Sequence, residues 1–220
     1  MALNLLMLGP PGAGKGTQAE RFAKDRRIPK ISTGDILRES VAKKTEIGLR
    51  AKAIMDRGEL VNDEVMIGIV RERLEQPDAA DGFVLDGFPR TVAQAAALDG
   101  IMNGRDPLIV VDIVVPEEEI VRRLHSRSIC RICGTGASVG AHVGAACAKC
   151  GGRLVQRTDD NEAVVLERLK VYHRQSEPLV EYYRVRPTFR SIDGAQDPDR
   201  VAEDLVAAIA AAGNGSGGRG

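Results

Sequence analysis

Leu3-Asn4-Leu5-Leu6-Met7-Leu8 runs directly into Gly9-Pro10-Pro11-Gly12-Ala13-Gly14-Lys15-Gly16-Thr17. The first six residues are apolar apart from Asn4 and read as a buried strand. The next nine read as a glycine-rich turn that opens a helix near Lys15. Glycine leaves room for successive backbone N–H groups to converge on an anion. The helix N-terminus adds unpaired N–H groups and positive dipole character. Lys15 is placed to neutralise the β- and γ-phosphates of a nucleotide. The G-x-x-x-x-G-K pattern is complete at Gly9, Gly14 and Lys15, but position 16 is glycine and the hydroxyl comes one residue later, at Thr17. The loop therefore predicts a nucleoside triphosphate, with an unusual arrangement around the Mg²⁺ that accompanies it.

Working outward, apolar runs at Leu3–Leu8, Phe83–Leu85 and Leu108–Val115 predict buried parallel strands, with shorter candidates at Pro29–Ile31 and Thr188–Ile192. Helices are predicted between them, at Lys15–Lys24, Asp63–Glu75 behind an Asn62 cap, Thr91–Leu98, Glu117–His125, Glu162–Tyr172 and Pro198–Ala211. This alternation predicts an α/β, doubly wound, mostly parallel sheet with ligands beyond the carboxyl ends of its strands. Ser32–Val61 (helical and polar) and Ser126–Asp160 (rich in Gly, Cys and Ala) interrupt it as insertions at that edge. The glycine-rich tail from Gly213 to Gly220 is expected to be disordered.

The chain has 220 residues, and Lys+Arg and Asp+Glu balance at 31 each. Net charge therefore gives no general attraction to nucleic acid or anionic membrane. No apolar run reaches the ~20 residues of a membrane span, and the N-terminal run ends in the phosphate loop, so a cytoplasmic protein is expected.

A second cluster, Asp86-Gly87-Phe88-Pro89-Arg90, follows the strand at Phe83–Leu85. An acid at a strand end can order Mg²⁺-bound water, Gly87 allows close backbone approach, and Arg90 has the planar fork that suits phosphate. Alone, the cluster is equally a strand-end turn with a surface arginine; beside the loop at Gly9 the phosphate reading prevails. Cys130-Arg131-Ile132-Cys133 and Cys147-Ala148-Lys149-Cys150 form two C-x-x-C pairs, each followed by glycine. Two such pairs can complete a thiolate tetrahedron around Zn²⁺ and leave no open position, so the metal would be structural. His142, between the pairs, reads as a surface residue.

Gly9–Thr17, Ser32-Thr33-Gly34-Asp35, Asp86–Arg90 with Gln94, and Arg157-Thr158-Asp159-Asp160 occur in the order found in adenylate kinases. The chain resembles that family from Leu3 to about Ala211, and the cysteine segment resembles its long, zinc-containing bacterial form. The resemblance implies reversible transfer of the terminal phosphoryl of MgATP to AMP, giving two ADP. It implies a core of five parallel strands (1–31, 62–125 and 161–212), an AMP-binding insertion (32–61), a zinc-ribbon lid (126–160) and a tail (213–220). It places Gly12, Ala13, Gly14, Lys15, Gly16 and Thr17 on the ATP phosphates, with Asp86 and Thr17 as indirect holders of Mg²⁺. Lys15, Arg90, Arg123, Arg127, Arg157 and Arg168 would surround the transferring phosphoryl. Arg123 and Arg127 would reach ATP; Arg38, Arg90, Arg157 and Arg168 would reach the AMP phosphate, beside Gly87, Phe88 and Pro89. Thr33, Gln94 and the backbone of Glu59, Leu60 and Val61 would read the AMP base. Arg123, or backbone near Gln196, would meet the ATP adenine. Arg123 and Arg127 would share one helix face if the helix from Glu117 continues that far, whereas Arg122 reads as a solvated surface charge.

No Tyr or Phe lies between Arg127 and Asp160, so the lid has no aromatic ring for adenine stacking. A monomer with small-molecule partners ATP, AMP and ADP is expected. Two other readings are a nucleoside monophosphate kinase with a different acceptor, and a nucleotide-dependent protein whose zinc ribbon grips nucleic acid or a partner. The ribbon's lack of aromatic residues and the zero net charge weigh against the second.

Overall fold

A computed structural model describes residues 2–137, 141–157 and 160–214. Thr158 and Asp159 of the fourth motif and residues 215–220 of the expected tail lie outside the described residues. Five strands form one parallel sheet: β1 (Leu3–Leu8), β2 (Lys30–Ser32), β3 (Gly82–Asp86), β4 (Leu108–Val114) and a last strand, Phe189–Asp193. Their spatial order is β2, β3, β1, β4 and then the last strand. The helices are α1 (Lys15–Arg26), α2 (Thr33–Ala42), α3 (Glu46–Asp56), α4 (Asp63–Leu74), α5 (Val92–Ile101) and α6 (Glu117–Ser126). They are followed by α7 (Glu162–Val171), α8 (Pro178–Arg184) and α9 (Pro198–Asn214). A short antiparallel hairpin, β5 (Ser128–Cys130) with β6 (Leu154–Gln156), lies between α6 and α7, which makes the last sheet strand β7.

The strand alternation divides the core in two, because successive side chains point to opposite faces. Leu5, Met7, Val84, Val111 and Ile113 pack on one face against α1, α6, α7 and α9. Leu6, Leu8, Phe83, Leu85 and Val110 pack on the other against α2, α3, α4, α5 and α8. The central strand is shielded on both sides, and Leu5 and Leu6 are fully buried. The predicted doubly wound α/β sheet with five parallel strands is the fold observed. Because β1 lies between β3 and β4, the loop after it opens at the point where strand order reverses. That is the crevice in which such sheets bind ligands.

Three local readings are revised. Helix α9 continues through Gly213 to Asn214, two residues into the expected tail. Helix α8 and the wide turn Tyr172–Ser176 before it were not anticipated. Helix α6 ends at Ser126, and Arg127 caps it in an extended conformation, so Arg123 and Arg127 do not share one continuous helix face.

Candidate active site

The loop between β1 and α1 holds its shape through glycine. Gly14 caps α1 at φ 92°, a conformation that costs an L side chain but not glycine. A Cβ at Gly9 (φ 131°) would meet the Ile113 carbonyl oxygen at 2.5 Å. The Lys15 ammonium folds back over this loop and donates to the carbonyls of Gly9 at 2.6 Å and Pro10 at 2.7 Å. Burial pushes Lys15 from 10.5 down to about 8; Asp86 opposes the shift, while Arg90, Arg168 and Arg127 add to it. Lys15 thus feels one carboxylate and three guanidiniums contributed by three different parts of the chain.

The glycine at position 16 has a steric reason. A Cβ there would sit 3.3 Å from Asp86 Oδ2. The β3 carboxylate occupies the space that a side chain at residue 16 would enter. Met7 pairs in register with Asp86, which fixes this juxtaposition through the sheet.

On the β3 side, Gly87 O accepts hydrogen bonds from Thr33 Oγ1 at 2.7 Å and Arg90 Nε at 2.8 Å. Phe88 is buried beneath this turn. Gln94 is almost fully buried; its Oε1 accepts from Arg90 N at 2.7 Å, and its Nε2 donates to Asp63 Oδ1 at 2.7 Å. Ser32 caps α2 by accepting from Asp35 N, which leaves the Thr33 hydroxyl free for Gly87. Arg38 pairs with Asp35. Burial raises the Asp35 carboxyl, but Arg38 and Lys30 outweigh it and hold the group below its ordinary value. Beyond α3, a Cβ at Gly58 would meet Arg168 Cγ at 3.0 Å, so the chain entering Glu59–Val61 packs directly on α7. The Glu59 side chain pairs with Arg57 on the surface.

Arg127 and Arg168 meet at Asp160, which is fully buried. Arg127 binds it through two parallel bonds, Nε to Oδ2 at 2.7 Å and Nη2 to Oδ1 at 2.5 Å. Arg168 Nη1 reaches Oδ1 at 3.0 Å. The motif ending in Asp160 was visible in the sequence, but its role as the shared anion of two site arginines was not. Arg157 immediately follows β6, at the start of that motif. Arg123 donates to Glu119 at 2.7 Å and to Gly194 O at 2.9 Å, beside the loop carrying Gln196. The Gln196 amide donates to Asp193 O at 3.1 Å and to Asp204 Oδ2 at 2.9 Å. Arg122 is exposed and pairs with Glu119, as a solvated charge would.

The four cysteine sulfurs lie within 4.8 Å of one another. Gly134 N donates to Cys130 O at 3.0 Å, and Gly151 N donates to Cys147 O at 2.8 Å. Gly134 and Gly151 have φ of 69° and 73°. Two equivalent tight turns therefore present the thiols to one point. Hydrogen bonding with the Thr135 side chain and backbone pulls the Cys133 thiol down to about 6, while at Cys150 a Gly152 backbone hydrogen bond is outweighed by Cys130 and Cys133, which push that thiol up to about 12. Around these sulfurs the apolar cluster is small: Cys130, Cys147 and Leu154, with Ala137, Ala141 and Ala145 packed on it. His142 is exposed and outside the cluster. Among the described residues, no helix is long and apolar enough to cross a membrane.

A family model described as adenylate kinase matches residues 7–188. Curated relatives named adenylate kinase include one from Archaeoglobus fulgidus, 51% identical over 212 residues, covering 94% of this chain and 98% of that protein. One from Desulforudis audaxviator is 46% identical over 212 residues, covering 94% and 99%. One from Clostridium acetobutylicum is 48% identical over 210 residues, covering 92% and 97%.

Proposed function

The chain belongs to the adenylate kinase family and catalyses reversible phosphoryl transfer between ATP and AMP, and from that premise we propose how its residues divide the work. The observation that carries the proposal is the convergence of Asp86, Arg90, Arg127 and Arg168 within electrostatic reach of Lys15, with Arg127 and Arg168 joined through Asp160. Phosphoryl transfer asks for positioning and charge neutralisation more than covalent help. Backbone N–H groups of Gly12 to Thr17 and the Lys15 ammonium bind the donor phosphates. Arg38, Arg90, Arg157 and Arg168 hold the acceptor phosphate. Arg127, with Lys15 and Arg90, stabilises charge developing on the phosphoryl in flight. Deleting one such donor lowers transition-state stabilisation by about 2–4 kcal/mol. No general base is needed, since the attacking group is already a phosphate oxygen. Mg²⁺ bound with ATP would neutralise its phosphates, and Asp86 and Thr17 are the residues that would hold it.

Thr33, Gln94 and the backbone of Glu59–Val61 read the acceptor base. Arg123 and the backbone near Gln196 cover the donor base. Segment 32–61 serves as the acceptor-binding insertion and 126–160 as the lid. Cys130, Cys133, Cys147 and Cys150 hold a structural Zn²⁺, which substitutes for the core that this small segment lacks. One chain carries both nucleotide sites, so a monomer suffices, and reduced C-x-x-C pairs suit a cytoplasmic setting. The test is incubation of purified protein with ADP and Mg²⁺, followed by a panel of AMP, UMP, CMP and dAMP as acceptors. ATP and AMP should form from ADP, and AMP should be the preferred acceptor. Failure to interconvert ADP would sink the assignment.

A further inference from the structure

Asp63 is the first residue of α4 and directly follows the Glu59–Val61 stretch and its Asn62 cap. An acid in this position complements the helix dipole, and Glu64 beside it does the same from the surface. Asp63 is different because its carboxylate turns inward. Oδ1 accepts from Gln94 Nε2 at 2.7 Å, and Oδ2 accepts from Thr91 Oγ1 at 2.8 Å. Thr91 itself caps α5, accepting from Gln94 N at 3.1 Å. Both carboxylate oxygens are thus engaged on the two residues that set the start of α5.

We propose that Asp63 is a positioning residue for acceptor-base specificity, which it enforces by locking the Gln94 carboxamide in one orientation. The proposal rests on Gln94 reading the base. A carboxamide presents a donor and an acceptor of nearly equal size, and a free one can exchange them by rotating half a turn. Here each end has a partner of fixed sense. Arg90 N can only donate, so it requires Oε1; the Asp63 carboxylate can only accept, so it requires Nε2. One lone pair on Oε1 and one hydrogen on Nε2 remain for a ligand. That pair matches a base edge offering an amino donor beside a ring acceptor, as adenine does. A 6-oxopurine offers a carbonyl acceptor beside a ring N–H, the reverse pattern. A fixed carboxamide rejects that edge, because both groups would be left unpaired. The remaining contacts of the turn (Thr33 and Arg90 on Gly87 O) keep Arg90 N in place, so the lock is shared between the two segments.

The experiment compares AMP with IMP as acceptors at saturating MgATP, and varies MgATP at saturating AMP, in wild type, Asp63→Ala, Asp63→Asn and Gln94→Leu. For Asp63→Ala the kcat/KM preference for AMP over IMP should fall about tenfold. The loss should appear in KM for AMP, with kcat and KM for ATP essentially unchanged. Asp63→Asn should restore most of the preference, since its Oδ1 still accepts from Gln94. A preference unchanged in folded Asp63→Ala, while Gln94→Leu loses it, overturns the role of Asp63 alone. A preference unchanged in Gln94→Leu overturns the base reading and this proposal together. A rise in both KM values of Asp63→Ala would mean a general structural role and also overturns it. Should Asp63→Ala not fold, Asp63→Ser carries the same comparison.

Discussion

Replacing Lys15 by methionine should abolish turnover and yet stabilise the unliganded protein. The half-buried ammonium lies among like charges, and its partners are two carbonyls and the opposing field of Asp86. Its titration near 8 rather than 10.5 means that the folded state binds this proton less well than the unfolded chain does. At pH 7 both states carry the proton, and 2.5 units correspond to roughly 3 kcal/mol of unfavourable interaction. As pH rises through 8 the folded state releases its proton first, and stability then increases with pH until the unfolded lysine also titrates. By pH 9.5 the penalty has dropped to roughly 1 kcal/mol. Methionine keeps the stem, removes the charge and abandons two hydrogen bonds, so a net gain of about 1–3 kcal/mol is expected at pH 7. For a chain of this size that raises Tm by roughly 2–10 °C. The assay is thermal unfolding of both proteins without nucleotide at pH 7.0 and 9.5, with activity measured alongside. The gap should narrow at the higher pH. A variant less stable at pH 7, or a gap that does not shrink with pH, refutes the electrostatic account; near-normal turnover refutes the assignment of the loop.

Stripping metal from the cysteine cluster should lower Tm, chiefly by loosening segment 126–160; unchanged melting after metal analysis confirms removal would count against a stabilising Zn²⁺. GTP should support turnover at more than a hundredth of the ATP value, since no Tyr or Phe lies between Arg127 and Asp160 to stack on adenine; a coupled donor assay decides. Asp160→Ala strips Arg127 and Arg168 of their shared carboxylate. The loss should be about 1–3 kcal/mol in urea unfolding, below the cost of a wholly buried pair because both guanidiniums keep some solvent.

Much of this fold was legible because its strands are buried on both faces. β1, β3 and β4 are continuous apolar runs, and Asn62 announced α4 by a side chain that accepts from Glu64 N and Val65 N. What escaped reading had competing local signals. Glu177-Pro178 reads as a helix stop, whereas Pro178 stands in the first turn of α8, where its missing N–H costs nothing. The β5–β6 strands have three residues each, too few for a period to emerge. At the site, the glycines, Lys15, Arg90 and Asp86 stand in motifs that can be read from the sequence; the pairings of Asp160 and Asp63 cannot. Asp160 and Asp63 act through partners 33 and 31 residues away. No spacing rule connects such residues before the chain is folded.

These anions change how the site is understood. Lys15 lies on its own loop carbonyls, Arg38 on Asp35, Arg123 on Glu119 and Gly194 O, and Arg127 and Arg168 on Asp160. Unopposed, Lys15, Arg127 and Arg168 would repel one another strongly in a poorly solvated space. The protein-borne partners offset that repulsion and fix the direction of each guanidinium. If these groups bind the nucleotide as proposed above, phosphate binding is largely an exchange of partners. A substrate gains only the difference between its own contacts and those it displaces, so weak anions are rejected. A nucleotide carrying several phosphates can displace several partners at once. The Arg127–Asp160 pair ties the end of α6 to the residues just before α7, on either side of the Cys-bearing segment, so an exchange there would release a contact that joins that segment's two ends.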